Sequence, residues 1–390
     1  MNKDDAKRPL PPGWRWARLE EVCEFKYGEG LPERQRLPGG VPVYGSNGIV
    51  GYHTASITDG AAVIVGRKGS IGEVHYSPVP CWPIDTTYYI DAAGTKTDCE
   101  LPWLYSVLKW LQLDILNKAT GVPGLNREDA YRQLLPLPPP DEQRRIAARL
   151  SEQMTVVERT RRAALAQVEA TRALPASFIR QVFDWEEAKT WPMTRVAAFA
   201  DTHTGTTPPR GRSEYYGGKV PWVKTGELVD EVIYDTEEHV TETALQHSSL
   251  KLLPPGTVLV AMIGQGQTRG RTGILAVPAT TNQNCFAVLP NPAAFDPPYL
   301  QLWFRHNYLL LRRESEARGG SQPALNAEML RNREVPLPGV EIQKRTVARL
   351  SRQMYEAKML SARAEAQLEA VNALPGVLLE GVFGGFEPPS

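Results

Sequence analysis

Four short stretches gather the side chains best suited to hydrogen-bonding a polar ligand: "YGSNG" at 44–48, "GRKGS" at 66–70, "GQGQTRGR" at 264–271 and "TNQN" at 281–284. Arg and Lys can donate to the guanine edge, and Asn and Gln match the adenine edge. Main-chain amides and hydroxyls at glycine turns can hold phosphates. The candidate DNA-contacting residues are Tyr44, Ser46, Asn47, His53, Arg67, Lys68, Ser70, Thr86 and Thr87 in the first half of the chain. In the second half they are Arg210, Lys224, Gln265, Gln267, Thr268, Arg269, Arg271, Asn282, Gln283 and Asn284. The same residue types also build ordinary tight turns. No single loop decides the matter; the set does.

Other chemistries are less well supported. Asp296-Pro297-Pro298-Tyr299 has the form of the signature with which DNA adenine methyltransferases hold the target amino group. A methyltransferase in its own right is therefore an alternative reading. The matching stretch of the first half is Glu100-Leu101-Pro102-Trp103, and both read as the first turn of a helix that accepts acid and Pro. Neither glycine loop has the dinucleotide or P-loop spacing. The histidines fall singly, with no pair at metal-ligand spacing, so no metal site is expected. No catalytic residue is assigned, and no cofactor is expected on this chain.

The elements that must position these loops occur twice. "RIAARLSEQM" at 145–154 and "RTVARLSRQM" at 345–354 share seven of ten residues at an offset of 200. At that offset Leu125-Asn126 matches Leu325-Asn326, and Pro136-Leu137-Pro138 matches Pro336-Leu337-Pro338. Upstream, Trp14 pairs with Trp191, Gly28 with Gly205 and Pro32 with Pro209. The chain is one unit written twice. Each copy opens with a Gly-, Pro- and aromatic-rich part holding short β-type runs such as "AAVIVG" and "GTVLVAMIG". Each closes with a Pro- and Gly-free stretch, 141–172 or 341–372, rich in helix formers.

Spacings of three and four place Leu150, Met154 and Val157 on one helical seam, and Leu350, Met354, Leu368 and Val371 on another. A helix of about 32 residues would span about 48 Å. Pro175 and Pro375 are expected to end the two helices, with a shorter apolar segment after each. Such seams would pair within one chain as an antiparallel coiled coil with pseudo-twofold symmetry.

The bulk composition fits a globular protein of several domains: 390 residues, 42% hydrophobic and 23% charged. There is no long apolar run or signal-like start, and four cysteines have no CxxC pair, so a cytoplasmic protein with no membrane contact is expected. Charge is the awkward feature. Lys and Arg number 44 against 44 Asp and Glu, whereas phosphate binding usually leaves a basic footprint. Any nucleic-acid reader built this way must cluster its basic residues or borrow charge from a partner. A helical scaffold that reads no DNA is the remaining alternative.

"PVYGSNGIVG" (42–51), "IVGRKGSIG" (64–72), "GTTPP" (205–209), "YGGKVPWV" (216–223) and the exits "LPLP" and "VPLP" occur in an order that resembles the specificity (S) subunits of type I restriction-modification enzymes. The resemblance implies an α+β fold. Two α/β target-recognition domains, 1–140 and 186–338, would each be followed by a helical spacer, 141–185 and 339–390. It also implies a subunit with no catalysis of its own that reads a bipartite, asymmetric sequence in double-stranded DNA. Its partners would be two methyltransferase (M) subunits and restriction/translocase (R) subunits. S-adenosylmethionine, ATP and Mg2+ would sit on those partners.

Overall fold

The computed structural model describes residues 9–116, 124–264, 266–316, 323–386 and 388. Backbone contacts divide the chain into two units, one formed by 1–166 with 365–390 and the other by 167–364.

In the first unit a four-stranded antiparallel sheet runs in the order Lys26–Tyr27, Thr87–Asp91, Ala62–Gly66, Val74–Ser77. Its central strand, AVIVG, is buried along its whole length, as a β-branched run covered on both faces should be. A three-stranded sheet joins Gly48–His53, Val41–Gly45 and Trp82–Pro83. A third pairing sets Arg15–Arg18 against the exit strand Leu134–Leu137. Trp103, Leu104, Val107 and Leu108 of the helix Leu101–Trp110 are fully buried in the same core as Val63 and Val65.

The second unit repeats this plan strand for strand. Thr202–Thr204, Cys285–Val288, Val258–Ala261 and Thr272–Leu275 form the equivalent sheet, and Glu231–Ile233 adds a fifth, parallel strand. His239–Val240, Tyr216–Val223 and Thr280–Thr281 form the three-stranded sheet, and Met193–Arg195 pairs with Glu334–Pro336.

One buried glutamine fastens each unit to the start of its long helix. Gln143 Oε1 accepts from the Glu100 amide at 2.9 Å, and its Nε2 donates to Asp98 and Pro138 carbonyls at 3.2 and 2.9 Å. Gln343 makes the same three bonds, to the Asp296 amide and to the Ala294 and Pro338 carbonyls, at 2.9, 3.2 and 2.7 Å. Both side chains are buried. Each thereby satisfies a buried proline carbonyl and two partly buried backbone groups at the junction of exit strand, helix start and strut.

The two struts are longer than their periodicity implied. They run as single helices, Pro140–Phe183 and Val340–Phe383, of 44 residues each, or about 66 Å. Pro140, expected to precede the helix, is its first residue, where its missing amide costs nothing. Pro175 and Pro375 do not end the struts but lie inside them. An interior proline costs about 3 kcal/mol. Beyond it, however, Ile179 and Val182 in one strut and Leu379 and Phe383 in the other are buried, each contributing about 1.5–3 kcal/mol. The apolar turns outweigh the lost hydrogen bond.

In the first unit Ala147, Leu150 and Met154, near the start of the first strut, share a core with Leu378, Leu379, Val382 and Phe383 near the end of the second. In the second unit Val347, Leu350 and Met354 pack with Ile179, Val182 and Phe183. Val371 is buried, and Val157 and Leu368 are partly so.

Candidate nucleic-acid interface

In the first unit the turn 45–48 between two strands meets the loop 66–72. Ser46 Oγ accepts from the Ser70 amide at 3.4 Å, and its carbonyl lies 3.2 Å from His75 Nε2. Glycine is required for this approach: a Cβ on Gly66 would meet the Ser70 carbonyl oxygen at 1.9 Å. The Arg67 and Lys68 amides both donate to the Thr86 carbonyl. Ser46, Asn47, Arg67, Lys68, Ser70 and Thr86 therefore form one surface group, with Asn47 and Lys68 the most open.

Arg67 donates from Nε and Nη2 to the Asp85 carbonyl at 3.2 and 2.5 Å. Its guanidinium lies 5.3 Å from the centre of the Tyr27 ring, while that of Arg127 lies 5.5 Å from the same ring. Tyr27 is half exposed. This Arg–Tyr–Arg cluster presents two cations and an aromatic face, and two of its three members escaped the sequence reading. Tyr27 has no counterpart at its paired position, Thr204, and Arg127 becomes Ala327, so the repeat offered no signal for them.

Three first-unit candidates are interior residues, which corrects their assignment as surface readers. Thr87 is fully buried and donates to the Ile84 carbonyl at 2.7 Å. His53 is buried, its Nδ1 accepting from the Leu37 amide at 3.0 Å. Tyr44 is buried in its strand, with burial raising the phenol pKa. Tyr44 lies in a run buried from Pro42 to Gly45, His53 is the buried end of the neighbouring strand, and a turn bond explains Thr87.

In the second unit the loops 204–210, 223–227 and 281–284 are tied together. Thr206 and Asn282 amides donate to the Thr281 and Val223 carbonyls, and the Thr207 hydroxyl bonds Gln283. Gly205 has no room for a Cβ, which would meet the Thr281 carbonyl oxygen at 2.1 Å, matching the closure at Gly28 against Ile84. Asn282 Oδ1 accepts from the Asn284 amide at 3.0 Å, an Asx turn that leaves Gln283 exposed at its tip.

Arg210 lies 4.8 and 4.9 Å from the Tyr216 and Trp222 ring centres and pairs with Glu238 at 2.6 Å. Lys224 Nζ reaches Glu238 and Glu237 at 3.0 and 3.1 Å. Arg210 first, then Lys224, holds the Glu238 carboxyl below its ordinary pKa.

The loop 266–271 forms a separate group. Arg271 donates to Gln267 Oε1 at 2.8 Å, and Tyr308 donates to the Gln267 carbonyl at 2.7 Å; Thr268 is half buried. Gln265 lies outside the described residues. Arg269 is a further correction. It is 5% exposed, paired with Glu316 at 2.7 Å and bonded to the Pro323 carbonyl at 3.0 Å. Its charge holds the loop to the helix Tyr308–Glu316 and does not face outward.

The methyltransferase-like tetrapeptide is structural. Asp296 caps the helix Pro297–His306, and burial raises its carboxyl pKa. Tyr299 is fully buried, its hydroxyl donating to the Pro336 carbonyl at 2.7 Å. Neither side chain is placed to meet a base. Among the described residues no group of three His, Cys, Asp or Glu could hold a metal ion. No helix among them is long and apolar enough to cross a membrane.

The architecture resembles known proteins. The chain superposes with a TM-score of 0.70 at 21% identity on a solved chain from a study of complex assembly and conformational transition of the type I R-M system, covering 96% of this chain and 98% of that one. The HsdS subunit from Thermoanaerobacter tengcongensis gives 0.63, again at 21% identity, with the same coverage. In sequence the chain is 27% identical over 206 residues to the MjaIX type I restriction enzyme specificity subunit of Methanocaldococcus jannaschii, covering 51% of this chain and 45% of that one. A type I specificity subunit from Escherichia coli is 27% identical over 146 residues, covering 37% of this chain and 36% of its own length. The matched stretches thus span less than half of these two relatives. The family model for the type I restriction modification DNA specificity domain matches twice, over residues 11–170 and 188–370. Two matches that take up most of the chain, one in each copy of the repeat, establish that it belongs to the type I restriction-modification DNA specificity family.

Proposed function

We propose that this chain is the DNA-recognition subunit of a type I restriction-modification enzyme, with no catalytic step of its own. One observation carries the reading: the same strand plan occurs twice with the same scaffold bonds, yet the polar loops on the two copies differ. Two different readers on one frame suit a bipartite, asymmetric target. The surface groups around Arg67 and Asn47 in one copy, and around Arg210, Lys224 and Gln283 in the other, would meet the two half-sites in duplex DNA. The target-recognition domains would be 1–140 and 186–338, with spacers 141–185 and 339–390.

The struts would pair antiparallel as a coiled coil and set the unread gap between half-sites. Their outward apolar residues support docking of helical partners: Val156 and Leu165 on the first, Tyr355, Met359 and Leu360 on the second, all more than 40% exposed. Two methyltransferase subunits carrying S-adenosylmethionine would bind there, with ATP- and Mg2+-dependent restriction subunits attached beyond them. Charge supplied by those partners would complement the neutral balance of this chain.

Co-expression with a cognate methyltransferase, followed by genome-wide mapping of methylated adenines, tests the reading. The expected result is a two-part motif with a fixed gap. Exchanging 15–138 for the same segment of another family member should change one half of that motif and leave the other. An unchanged motif would establish a scaffold role instead, and methylation by the chain alone would establish an enzyme.

A further inference from the structure

The second unit contains a cavity of about 700 Å³ walled by the first strut, the loop 266–271 and the two helices after Pro297. Arg172, Arg180, Arg271, Arg305 and Arg312 line it, with Asp230 the one carboxylate among its lining residues. Arg180 and Arg305 have no ion-pair partner among the described residues. Burial holds the pKa of His306, also in the lining, below its usual value, while Asp184 acts in the opposite sense. The positive charge is therefore carried by guanidinium groups, which remain charged at any working pH.

The corresponding crevice in the first unit is not net cationic: Lys109 is the one cation among its lining residues, against Glu73 and Asp114. Arg172 and Arg180 become Asn372 and Glu380 at the repeat offset, and Arg305 becomes Lys109. There the crevice is lined by Ser70, Lys109, Asp114 and Leu379, and Glu380 accepts a bond from Trp110 at 2.8 Å. Scaffold requirements common to both copies thus do not explain the arginines. Arg180 and Arg305, with Arg271 and Arg312 beside them, gather like charges that repel one another unless an anion neutralises them, and planar guanidinium groups suit the oxygens of a phosphate.

We infer that this crevice is a phosphodiester-binding site, holding the DNA backbone beside the half-site read by the second unit. The inference rests on the DNA-recognition reading proposed above. DNA is favoured over an acidic protein segment because one wall is a candidate reader loop. Tyr308 bonds the Gln267 carbonyl at 2.7 Å and Arg312 the Arg269 carbonyl at 3.3 Å, so the arginine-bearing helix and that loop move together. A strand whose bases meet Gln267 or Arg271 brings its phosphates to the cavity. The site gives a neutral chain a local cationic surface beside that loop.

The test uses the full chain assembled with its methyltransferase partner, and measures target and non-target duplex binding against salt concentration. For Arg180→Gln/Arg305→Gln, the slope of log affinity against log salt should fall by about 2, since each phosphate contact contributes about 0.9. Affinity near physiological salt should drop about tenfold or more for both duplexes, whereas Lys109→Gln should leave it within about twofold. Independently, the unsubstituted complex should be weakened by single neutral methylphosphonates flanking one half-site only, and the double variant should be insensitive to them. An unchanged slope in the variant, while the parent complex still selects its target, overturns the phosphate site and leaves the DNA reading standing. Failure of the parent complex to select any duplex overturns the reading itself. Loss of the partner protein with the salt slope intact assigns the crevice to an acidic protein segment and overturns the inference.

Discussion

Gln143 and Gln343 make the same three hydrogen bonds in their two units, whereas Arg67 and Arg269, each in a glycine-rich loop, do opposite things. Arg67 lies partly exposed against an exposed tyrosine. Arg269 is sunk beneath its loop and paired with Glu316. The lesson concerns which contacts duplication preserves. Bonds that close the frame are fixed by groups with no other way to be satisfied. Loop surfaces have water as an alternative partner and are free to diverge.

The most damaging changes should be those that strike both copies alike. Leu150 and Leu350 sit in equivalent cores, 2% and 0% exposed. Leu150→Ala and Leu350→Ala should each destabilise by about 2–5 kcal/mol. Paired denaturant titrations would check this. A large loss at one leucine with none at the other would show that the two cores are not equivalent.

Gln143→Leu and Gln343→Leu come next. Each strands one buried carbonyl and removes two partly buried bonds at the junction of strut and domain, at about 2–4 kcal/mol in all. The effects should agree to within about 1 kcal/mol, measured as shifts in the unfolding midpoint. Asymmetry between them would mean that one exit is supported by other contacts.

The arginines should then separate the copies. Arg67→Ala should leave stability nearly unchanged and weaken or relax recognition in one half-site only, by about 1–3 kcal/mol. Methylation of substrates varied in one half at a time would register it, and equal loss in both halves would remove Arg67 from the reader set. Arg269→Ala should instead lower thermal stability and increase amide exchange in 266–271, because it releases the loop from Glu316 and Pro323. Unchanged exchange there would remove Arg269 from its structural role.

How much of this the sequence disclosed follows from the same distinction. The doubled phrase around Leu150 and Leu350 exposed the struts and the repeat because packing keeps its spacing. The seam ran past Pro175 and Pro375 because tertiary burial overrides a local helix breaker, which a propensity argument cannot weigh. Arg269 reads like Arg67 on paper: a glycine loop shows where the chain turns, not which of its side chains turns inward. Tyr27 and Arg127 are 100 residues apart, and only folding brings the guanidinium over the ring.

The smallest effect belongs to Glu238, which occupies Arg210 and Lys224 in the second unit; in the Arg67 cluster of the first unit the carboxylate is Glu128, 4.0 Å from Arg127, and Arg67 bonds the Asp85 carbonyl instead. An ion pair this accessible contributes about 0–1 kcal/mol. Because the folded carboxyl pKa is depressed, that contribution is present above the ordinary glutamate pKa and is lost as pH falls through the lowered value. Glu238→Gln should therefore change stability by less than about 1 kcal/mol near neutral pH, and flatten the acid limb of the stability curve slightly. It should also free two cations facing the second half-site. DNA affinity of the assembled complex should rise by a few fold, without discrimination between sequences, and with a steeper salt dependence. A fall in affinity, or a change confined to one base position, would show that Glu238 orients Arg210 for reading. The two units would then read by different means, one with cations against an aromatic ring and the other with a cation held by a carboxylate.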